Sequence, residues 1–374
     1  MSNDNPSFSI CIPNYNYGRF IGDTIESVLN QSYQNFEIIV ADNASTDDSV
    51  AVVQRYQRQD ARISLHRNRY NIGFAPNLQR VTQFAGNEFV NLLSSDDQMQ
   101  PNALEEYARV IAEVDPDPAR GLVLMSDAEA FDNNNKRTRF IHKPEGSFKR
   151  TRLPPDTPWP DAVSYSTFDG LEVLRDSLAR LDAPGVFCSI VYSRSLWQAV
   201  EGYNGIRTIG PDTHFHYKLL SLNPLVTYVH APLFRYRDYD SDNRAATKVT
   251  MRYPIDKYLT ILEFGTPAFL APLGLKEEEL VHVYLDRICL RAALSYLGLG
   301  NYRFALQHFT FALSTFPAQT LKEKKTYLLL PLLALGPFSR LVASPLRSWY
   351  RRREQRTAKE MTATLDPARS DAYS

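Results

Sequence analysis

The stretch of sequence that decides the fold reads FSICIPNYN and covers residues 8–16. Its apolar half, Phe8–Ile12, is a short uninterrupted run stopped by Pro13, which is typical of a strand buried inside a sheet. Apolar residues then recur at helical spacing from Phe20 to Leu29. The first thirty residues therefore predict one strand followed by one helix.

The same alternation continues outward from this stretch as far as residue 126. The further predicted strands are Phe36–Ala41, Ile63–His66, Phe89–Leu93 and Gly121–Ser126, and the predicted helices between them are Ser49–Tyr56, Pro76–Phe84 and Asn102–Val114. Strands that alternate with helices of about ten residues indicate βαβ units. The predicted fold class is therefore α/β, with a Rossmann-like, mainly parallel central sheet.

Composition excludes several classes of protein. The 374 residues are 44% hydrophobic and 22% charged, as in an ordinary globular protein, and 42 Lys and Arg balance 42 Asp and Glu. Without a net positive field, no nucleic-acid partner is predicted. Cys11, Cys188 and Cys289 lie far apart, which excludes a disulfide scaffold and favours a reducing compartment. No signal-peptide pattern precedes Phe8, so we expect a cytoplasmic protein.

Polar residues follow each predicted strand, at the edge where ligands of parallel sheets bind. They are Pro13–Asn16, Asp42, Arg67–Asn71 and the pair Asp96-Asp97. Neither G-x-G-x-x-G nor G-x-x-x-x-G-K-[ST] occurs, which argues against a dinucleotide dehydrogenase and a P-loop ATPase. A phosphorylated ligand would then need a metal, and Asp96-Asp97 is the obvious place to hold one. An ordinary turn or helix cap is the other interpretation of such a pair.

Taken in order, these motifs resemble the inverting family 2 glycosyltransferases of the GT-A (nucleotide-diphospho-sugar transferase) fold. The resemblance covers about residues 7–240 and rests on five pieces in the family's order: Ile12–Asn16, Ser27–Tyr33, Asp42–Asp48, Asn71–Gly73 with Asn77, and Gly86–Phe89 leading to Ser95–Asp97. Each piece alone is weak, but five at the right spacing are specific.

The resemblance implies a role for each residue at the sheet edge. Pro13 and Tyr15 would line the base pocket of a nucleoside-diphosphate sugar, and Asp42 would accept a hydrogen bond from the base, typically uracil. Arg69 or Arg67, near Asn71, would approach the base or the phosphates. Asp96 would bind the ribose, and Asp97 would ligate Mg²⁺ or Mn²⁺ on the diphosphate. Many members carry Asp-x-Asp-Asp here, whereas this chain has Ser94-Ser95-Asp96-Asp97.

The same resemblance implies that Asp212 is the general base. Inverting transfer needs a carboxylate to take the proton of the acceptor hydroxyl. Asp212 matches the second acid of the family's Glu-Asp pair, and Pro211 replaces the first. The plainer interpretation is a helix N-terminal acid favoured by the helix dipole. His214 and His216, at i and i+2 on one helix, are not expected to chelate one ion.

Two further segments are left with two interpretations each. Arg235–Tyr239 resembles the family's Tyr-Arg-x-His segment, so Arg235 or Arg237 would neutralise phosphate, or both would lie on the surface. Asn133–Pro160 is polar and proline-rich, and we expect an irregular acceptor-side loop or a solvated charge run. Val186–Tyr192 is predicted to be a strand on the acceptor side.

We expect a GT-A catalytic domain over residues 1–250, with a nucleotide-binding half at about 7–130 and an acceptor-side half at 131–250. A helical C-terminal region follows over 251–356, and a disordered tail over 357–374. Tyr327–Phe338 is strongly apolar but too short to span a bilayer, and arginines follow it at 347–356. This order predicts a peripheral contact with an anionic membrane, at the inner face of the plasma membrane, or else a core helix with a solvated tail.

The sequence thus predicts a metal-assisted, inverting glycosyltransferase for polysaccharide or cell-surface glycan synthesis. The donor would be a nucleoside-diphosphate sugar, with UDP as the expected nucleotide, and the acceptor a glycan or a lipid-linked molecule. The missing first acid and Pro211 keep a second hypothesis open, a non-catalytic scaffold or nucleotide-sugar-binding protein with a helical interaction module. A nucleotidyltransferase is disfavoured because residues 13–16 are not a glycine-rich basic loop.

Overall fold

The computed structural model of the protein describes residues 5–143, 151–154, 156, 163–203, 210–238 and 251–338. These residues divide into two compact units. The first lies within residues 1–178 and 182–240, and the second within 179–181 and 241–374. The expected tail at 357–374 and the arginines at 347–356 lie outside the described residues.

The first unit is a sheet with helices. Its strands are β1 (Phe8–Asn14), β2 (Phe36–Asp42), β3 (Ile63–Arg67), β4 (Phe89–Leu92), β5 (Gln98–Met99), β6 (Leu122–Phe131), β7 (Arg137–His142), β8 (Thr151–Leu153), β9 (Tyr165–Asp169), β10 (Val191–Ser193) and β11 (Leu225–Arg237). Its helices are α1 (Gly18–Leu29), α2 (Ser49–Gln57), α3 (Phe74–Gln83), α4 (Ala103–Val114), α5 (Gly170–Ala179), α6 (Arg194–Ala199) and α7 (Pro211–Ser221).

The sheet is mostly parallel, which confirms the predicted fold class. Its strand order is β3-β2-β1-β4-β10-β6-β11-β5. β1 pairs in parallel with β2 and β4, and β2 with β3, so the first four strands end at one edge. β10 runs antiparallel between β4 and β6, and β11 is parallel to β6. The residues that follow β1 to β4 therefore meet at this edge.

The packing of the core explains why the strands could be predicted from the sequence. Phe8, Ile10 and Ile12 of β1 are fully buried and share one cluster with Ile21 and Ile25 of α1. Strands covered on both faces carry continuous apolar runs, and the amphipathic helices that cover them bury one stripe. The strands are thereby held rigidly enough to fix the residues that follow them.

Three local predictions were wrong. The segment 133–160 was expected to be irregular, but it contains β7 and β8, whose alternating polar residues suit strands at the margin of the sheet. Val186–Tyr192 is not one strand, because a 3₁₀ turn at Phe187–Ser189 precedes β10. β6 was expected to stop at Ser126, but it continues through Asp127 because that buried carboxylate is fully provided with hydrogen-bond donors.

The second unit is helical. Its helices are Arg252–Phe264, Pro267–Leu270, Glu277–Val283, Arg291–Gly298, Tyr302–Thr315, Pro317–Lys322 and Lys324–Ala334. A π-helical segment, Tyr284–Leu290, joins the third to the fourth, so these three segments form one continuous helix that is not uniformly α-helical. Within the described ranges, none of these helices is both long and apolar enough to cross a membrane.

Candidate functional site

The ends of β1 and β2 are tied together by side chains. Asn14 Nδ2 donates to Asp42 Oδ1 at 2.9 Å and to Ser45 Oγ at 3.1 Å. Asp42 Oδ2 also accepts the Ser45 backbone N–H at 3.1 Å. Asn14 and Asp42 are each 1% exposed. The carboxylate predicted to read the base is therefore fixed in place by buried hydrogen bonds rather than left to rotate in solvent.

Asn43 organises the loop that follows β3. Its Oδ1 accepts from Asn68 Nδ2 and from the Ile72 N–H, both at 2.9 Å. Its Nδ2 donates to Asn71 Oδ1 at 2.8 Å, and Asn71 Oδ1 also accepts the Gly73 N–H. Asn71 thereby lies beside the end of β2, as its predicted role requires. Sequence reasoning gave Asn43 no role of its own, although its place directly after Asp42 was a usable signal.

The other predicted base and phosphate contacts lie at the same edge but are more exposed. Tyr15, 42% exposed, follows β1 directly, and Arg69 is exposed in the loop after β3. Pro13 is half-buried, and its carbonyl accepts a hydrogen bond from Ser95 Oγ at 2.8 Å. This last bond joins the end of β1 to the acidic loop after β4. The edge therefore brings the predicted nucleotide-binding residues together.

The acidic pair lies in a turn whose backbone is held by β11. The Asp97 N–H donates to Ser94 O at 3.1 Å, and Asp97 is only 5% exposed. The Arg237 N–H donates to Asp97 Oδ1, and Arg237 Nε donates to Asp96 O, both at 3.0 Å. Burial first, and then the neighbouring Asp96 carboxylate, raise the pKa of Asp97 well above its usual range.

The donor set fits a divalent cation that arrives with a diphosphate. Within the residues that the structure describes, no group of three or more His, Cys, Asp or Glu side chains could hold a metal by itself. Mg²⁺ and similar ions are commonly held by one or two carboxylates, with phosphate oxygens and water completing the shell. Asp96 and Asp97 supply carboxylates of this kind, and a bound cation would relieve the charge whose burial raises the pKa of Asp97.

Asp212 occupies the first turn of α7. Gly210 precedes the helix, Pro211 is at its first position, and Asp212 is the only acid in that turn. The carboxylate is half-buried, and it is close enough to the buried Tyr203 phenol to help raise the phenol's pKa, after burial and Tyr192. The geometry is compatible with both interpretations of Asp212, since a base and a dipole-favoured acid occupy the same helical position. Asn204–Arg207, in the segment before it, lie outside the described residues.

His214 and His216 are both buried in α7 rather than exposed to solvent. Burial lowers the pKa of His216 to about 3, so this imidazole is neutral in the folded protein at pH 7. Two positions apart on a helix, the two rings point in different directions. Histidine chelation of a metal therefore remains disfavoured.

Stability of the first unit is expected to fall as the pH drops below about 6.5, in part because of His216. In the unfolded chain this imidazole becomes protonated near pH 6.5, whereas in the folded protein it stays neutral down to about pH 3. At pH 5 the difference costs about 2 kcal/mol relative to neutral pH. Urea unfolding at pH 7 and pH 5 should show a smaller loss for His216→Gln than for the wild type. An equal loss in both proteins would contradict this.

A buried polar cluster around Asp127 was missed by sequence reasoning. His142 Nδ1 lies 2.8 Å from Asp127 Oδ2, and Asp127 Oδ1 accepts from the Lys143 N–H at 3.0 Å and Tyr228 OH at 2.8 Å. His230 lies inside β11, with its ring nitrogens near Ser166 Oγ and Lys143 O. An aspartate inside an apolar run was the signal available. The cluster joins β6, β7 and β11.

Comparison with known proteins agrees with this geometry. Residues 9–168 match the family model described as glycosyl transferase family 2, which confirms the predicted resemblance. Similar sequences include the putative teichuronic acid biosynthesis glycosyltransferase TuaG of Bacillus subtilis, 33% identical over 39% of this chain and 56% of TuaG. A GalNAc(5)-diNAcBac-PP-undecaprenol beta-1,3-glucosyltransferase of Campylobacter jejuni is 36% identical over 26% of this chain and 32% of its own length. The chain thus spans about half, or less, of these relatives.

Solved structures extend the likeness to most of the chain. The crystal structure of S. aureus TarS 1-349 superposes with a TM-score of 0.57 at 17% identity, covering 92% of this chain and 91% of that one. The same protein in complex with UDP-GlcNAc gives a TM-score of 0.53 at 16% identity, with 92% of each chain covered. At such identity the likeness establishes the fold, which is that of GT-A-like glycosyltransferases followed by a helical region.

Proposed function

We propose that this chain, whose residues 9–168 carry the family 2 pattern, is an inverting glycosyltransferase that uses a nucleoside-diphosphate sugar. The observation that carries the proposal is the shared edge after β1, β2 and β4. There Asn14 holds Asp42, and Ser95, directly before the Asp96-Asp97 pair, donates to the Pro13 carbonyl. One acid is thus placed to contact a base, and an acid pair on the same rigid edge is placed to contact a metal diphosphate. This arrangement suits a nucleoside diphosphate better than it suits a simple anion. TarS, of similar fold, binds UDP-GlcNAc, which favours a UDP-linked donor.

The proposed reaction is a single displacement. The acceptor hydroxyl oxygen forms a bond to the anomeric carbon while the bond from that carbon to the diphosphate oxygen breaks. The hydroxyl proton passes to the Asp212 carboxylate, and the nucleoside diphosphate leaves with the bonding electron pair. Mg²⁺ or Mn²⁺ held by Asp97, with Asp96 toward the ribose, would offset the charge on the departing diphosphate. Attack opposite the leaving group inverts the anomeric configuration.

The acceptor is proposed to be a glycan or a lipid-linked molecule, in the synthesis of a cell-surface polysaccharide. Relatives named for teichuronic acid synthesis and for transfer to an undecaprenol-linked glycan support this class. A panel of UDP- and GDP-sugars, assayed for released nucleoside diphosphate with Mn²⁺ and with EDTA, tests the donor. Metal-dependent release is expected with at least one UDP-sugar. If neither release of a nucleoside diphosphate nor metal-dependent UDP binding is detected, the non-catalytic scaffold becomes the better hypothesis.

We further propose a peripheral contact with the anionic inner face of the plasma membrane through the helix Lys324–Ala334. One side of it buries Thr326, Leu329, Leu332 and Leu333. The exposed apolar set on and after this helix comprises Tyr327, Leu328, Leu330, Leu335 and Phe338, with Tyr327 65% and Phe338 73% exposed. A helix that is apolar on all sides usually has a further apolar partner. The arginines at 347–356 follow in the sequence, which favours an anionic bilayer as that partner.

Binding to vesicles containing phosphatidylglycerol should therefore depend on the exposed apolar set. We expect the double variant Tyr327→Glu with Phe338→Glu to lose co-sedimentation with vesicles by about tenfold or more, because each change places a charge against the acyl boundary. Leu262→Glu with Leu299→Glu is the matched control, since both leucines are over half exposed elsewhere in the same unit. Equal binding by both double variants would refute the contact, and a changed oligomeric state would indicate a second copy instead.

A further inference from the structure

β11 carries two arginines that are alike in position. Arg235 and Arg237 are two residues apart on one strand, so their side chains leave the same face of the sheet. Each guanidinium carbon lies 4.4 Å from the centroid of the Phe131 ring. The Arg237 side chain is 2% exposed and that of Arg235 is 20% exposed. Neither is the surface residue that one interpretation of the sequence expected.

Their hydrogen bonds, however, go to different places. Arg235 Nε donates to Glu129 Oε1 at 2.6 Å and its Nη1 to Gln98 Oε1 at 2.7 Å, which ties β11 to β6 and β5. Arg237 Nε donates to Asp96 O at 3.0 Å, and the backbone N–H of Arg237 donates to Asp97 Oδ1. Arg237 therefore contacts the acidic turn itself, whereas Arg235 joins strands.

The Arg237 guanidinium is held in a fixed plane. Its central carbon lies 4.6 Å from the centroid of Phe20 on α1 and 4.4 Å from that of Phe131 on β6. Asp23 Oδ2 lies 3.7 Å from Nη2. Aromatic rings stabilise a planar cation more than they would a flexible ammonium group. The direction of the Nε–H bond to Asp96 O is thus set by α1, β6 and β11, none of which belongs to the turn.

We propose that Arg237 is a positioning residue, which fixes the Asp96-Asp97 turn so that the Asp97 carboxylate is already oriented for a metal diphosphate. The inference rests on the proposed function, because it concerns the same site. Carboxylates that ligate metals are oriented by hydrogen bonds from surrounding residues, and loss of such a partner typically weakens metal affinity 10- to 100-fold. Arg237 supplies one bond to the backbone of the turn and, through its own N–H, one bond to the carboxylate.

Calorimetric titration of UDP with Mn²⁺, and separately with EDTA, tests this role without relying on turnover. We expect Arg237→Lys, which keeps the charge but loses the Nε–H and the planar group, to weaken Mn²⁺-dependent UDP binding about 10- to 100-fold. Metal-free UDP binding should stay at the wild-type value. Arg62→Lys is the matched control, because Arg62 also donates through Nε, to Asp60, and lies over an aromatic ring, Phe36, at the opposite edge of the sheet. It should bind UDP with Mn²⁺ as the wild type does.

The outcomes separate the inference from the function on which it rests. Equal weakening by Arg62→Lys and Arg237→Lys, with equal loss in melting temperature, would overturn the positioning role and leave Arg237 as a support of the fold. Wild-type protein without any Mn²⁺-dependent UDP binding would overturn the proposed function itself. If Arg237→Lys does not fold, Phe20→Leu removes one ring from the guanidinium and should weaken metal-dependent binding in the same direction. Unchanged binding in a folded Phe20→Leu would then overturn the role.

Discussion

Replacing Asp97 by asparagine is expected to abolish the Mn²⁺-dependent part of UDP binding and to lower transferase turnover by about 100-fold or more. A cation that neutralises a departing diphosphate contributes several kcal/mol to the transition state, and each 1.36 kcal/mol is a factor of ten in rate. Asparagine keeps the size of the side chain and offers only a neutral oxygen to the metal. Calorimetry with Mn²⁺ or EDTA, together with release of UDP from the active donor, measures both effects.

The Asp97→Asn protein should fold at least as well as the wild type. Burial and the nearby Asp96 carboxylate raise the pKa of Asp97, so an ionised Asp97 does not stabilise the fold. Its Oδ1 accepts the Arg237 N–H, and an amide oxygen can accept the same bond. A large loss of melting temperature would therefore contradict this account of the site, even if activity were lost.

Asp42→Asn provides the contrast, because Asp42 is proposed to read the base. This variant should weaken UDP binding with Mn²⁺ and with EDTA alike. Asp42 accepts from both Asn14 and the Ser45 N–H, so the amide would also disturb the edge of β1 and β2. If Asp42→Asn removed only the metal-dependent part of binding, the two carboxylates would have been assigned to the wrong partners.

The strands that build the site were predictable because they are buried on both faces. β1, β2 and β4 are mostly apolar and mostly buried, and their observed ends differ from the predicted ones by at most two residues. β7 was missed for the opposite reason. It pairs at the margin of the sheet, where only Phe140 is fully buried, and its arginines gave it the composition of a loop. Hydrophobic periodicity in a sequence arises from burial, so it does not predict a strand that buries few of its side chains.

The positions of the acids at the sheet edge could be predicted from the sequence, but the residues that hydrogen-bond to them could not. Asp42 is the last residue of β2 and Asp97 lies in the loop after β4, so a parallel sheet implies that they share an edge. The bond from Arg237 to Asp97 spans 140 residues of sequence. It depends on β11 lying beside β6 and β5, and no local pattern records that arrangement. The same holds for Asp127, which is hydrogen-bonded by Tyr228 on β11, by His142 at the end of β7 and by the Lys143 N–H.

Asp212→Asn is expected to lower the rate of sugar transfer by about 10²- to 10⁴-fold while UDP binding with Mn²⁺ stays at the wild-type value. A positioned general base typically contributes this range, and the amide cannot take the proton of the acceptor hydroxyl. The readout is released UDP from the active donor, with water as acceptor where no glycan acceptor is known. Binding is measured by calorimetry on the same preparation.

Glu172→Gln decides between the two interpretations of Asp212. Glu172 is an exposed acid in the first turn of α5, as Asp212 is the acid in the first turn of α7. If Asp212 merely complements a helix dipole, both substitutions should cost only about 0.3–1 kcal/mol of stability and leave the rate of transfer alone. If Asp212 is the base, the two variants should differ little in stability and by orders of magnitude in rate. Equal rates in both would remove Asp212 from the reaction, and another group would then have to accept the proton.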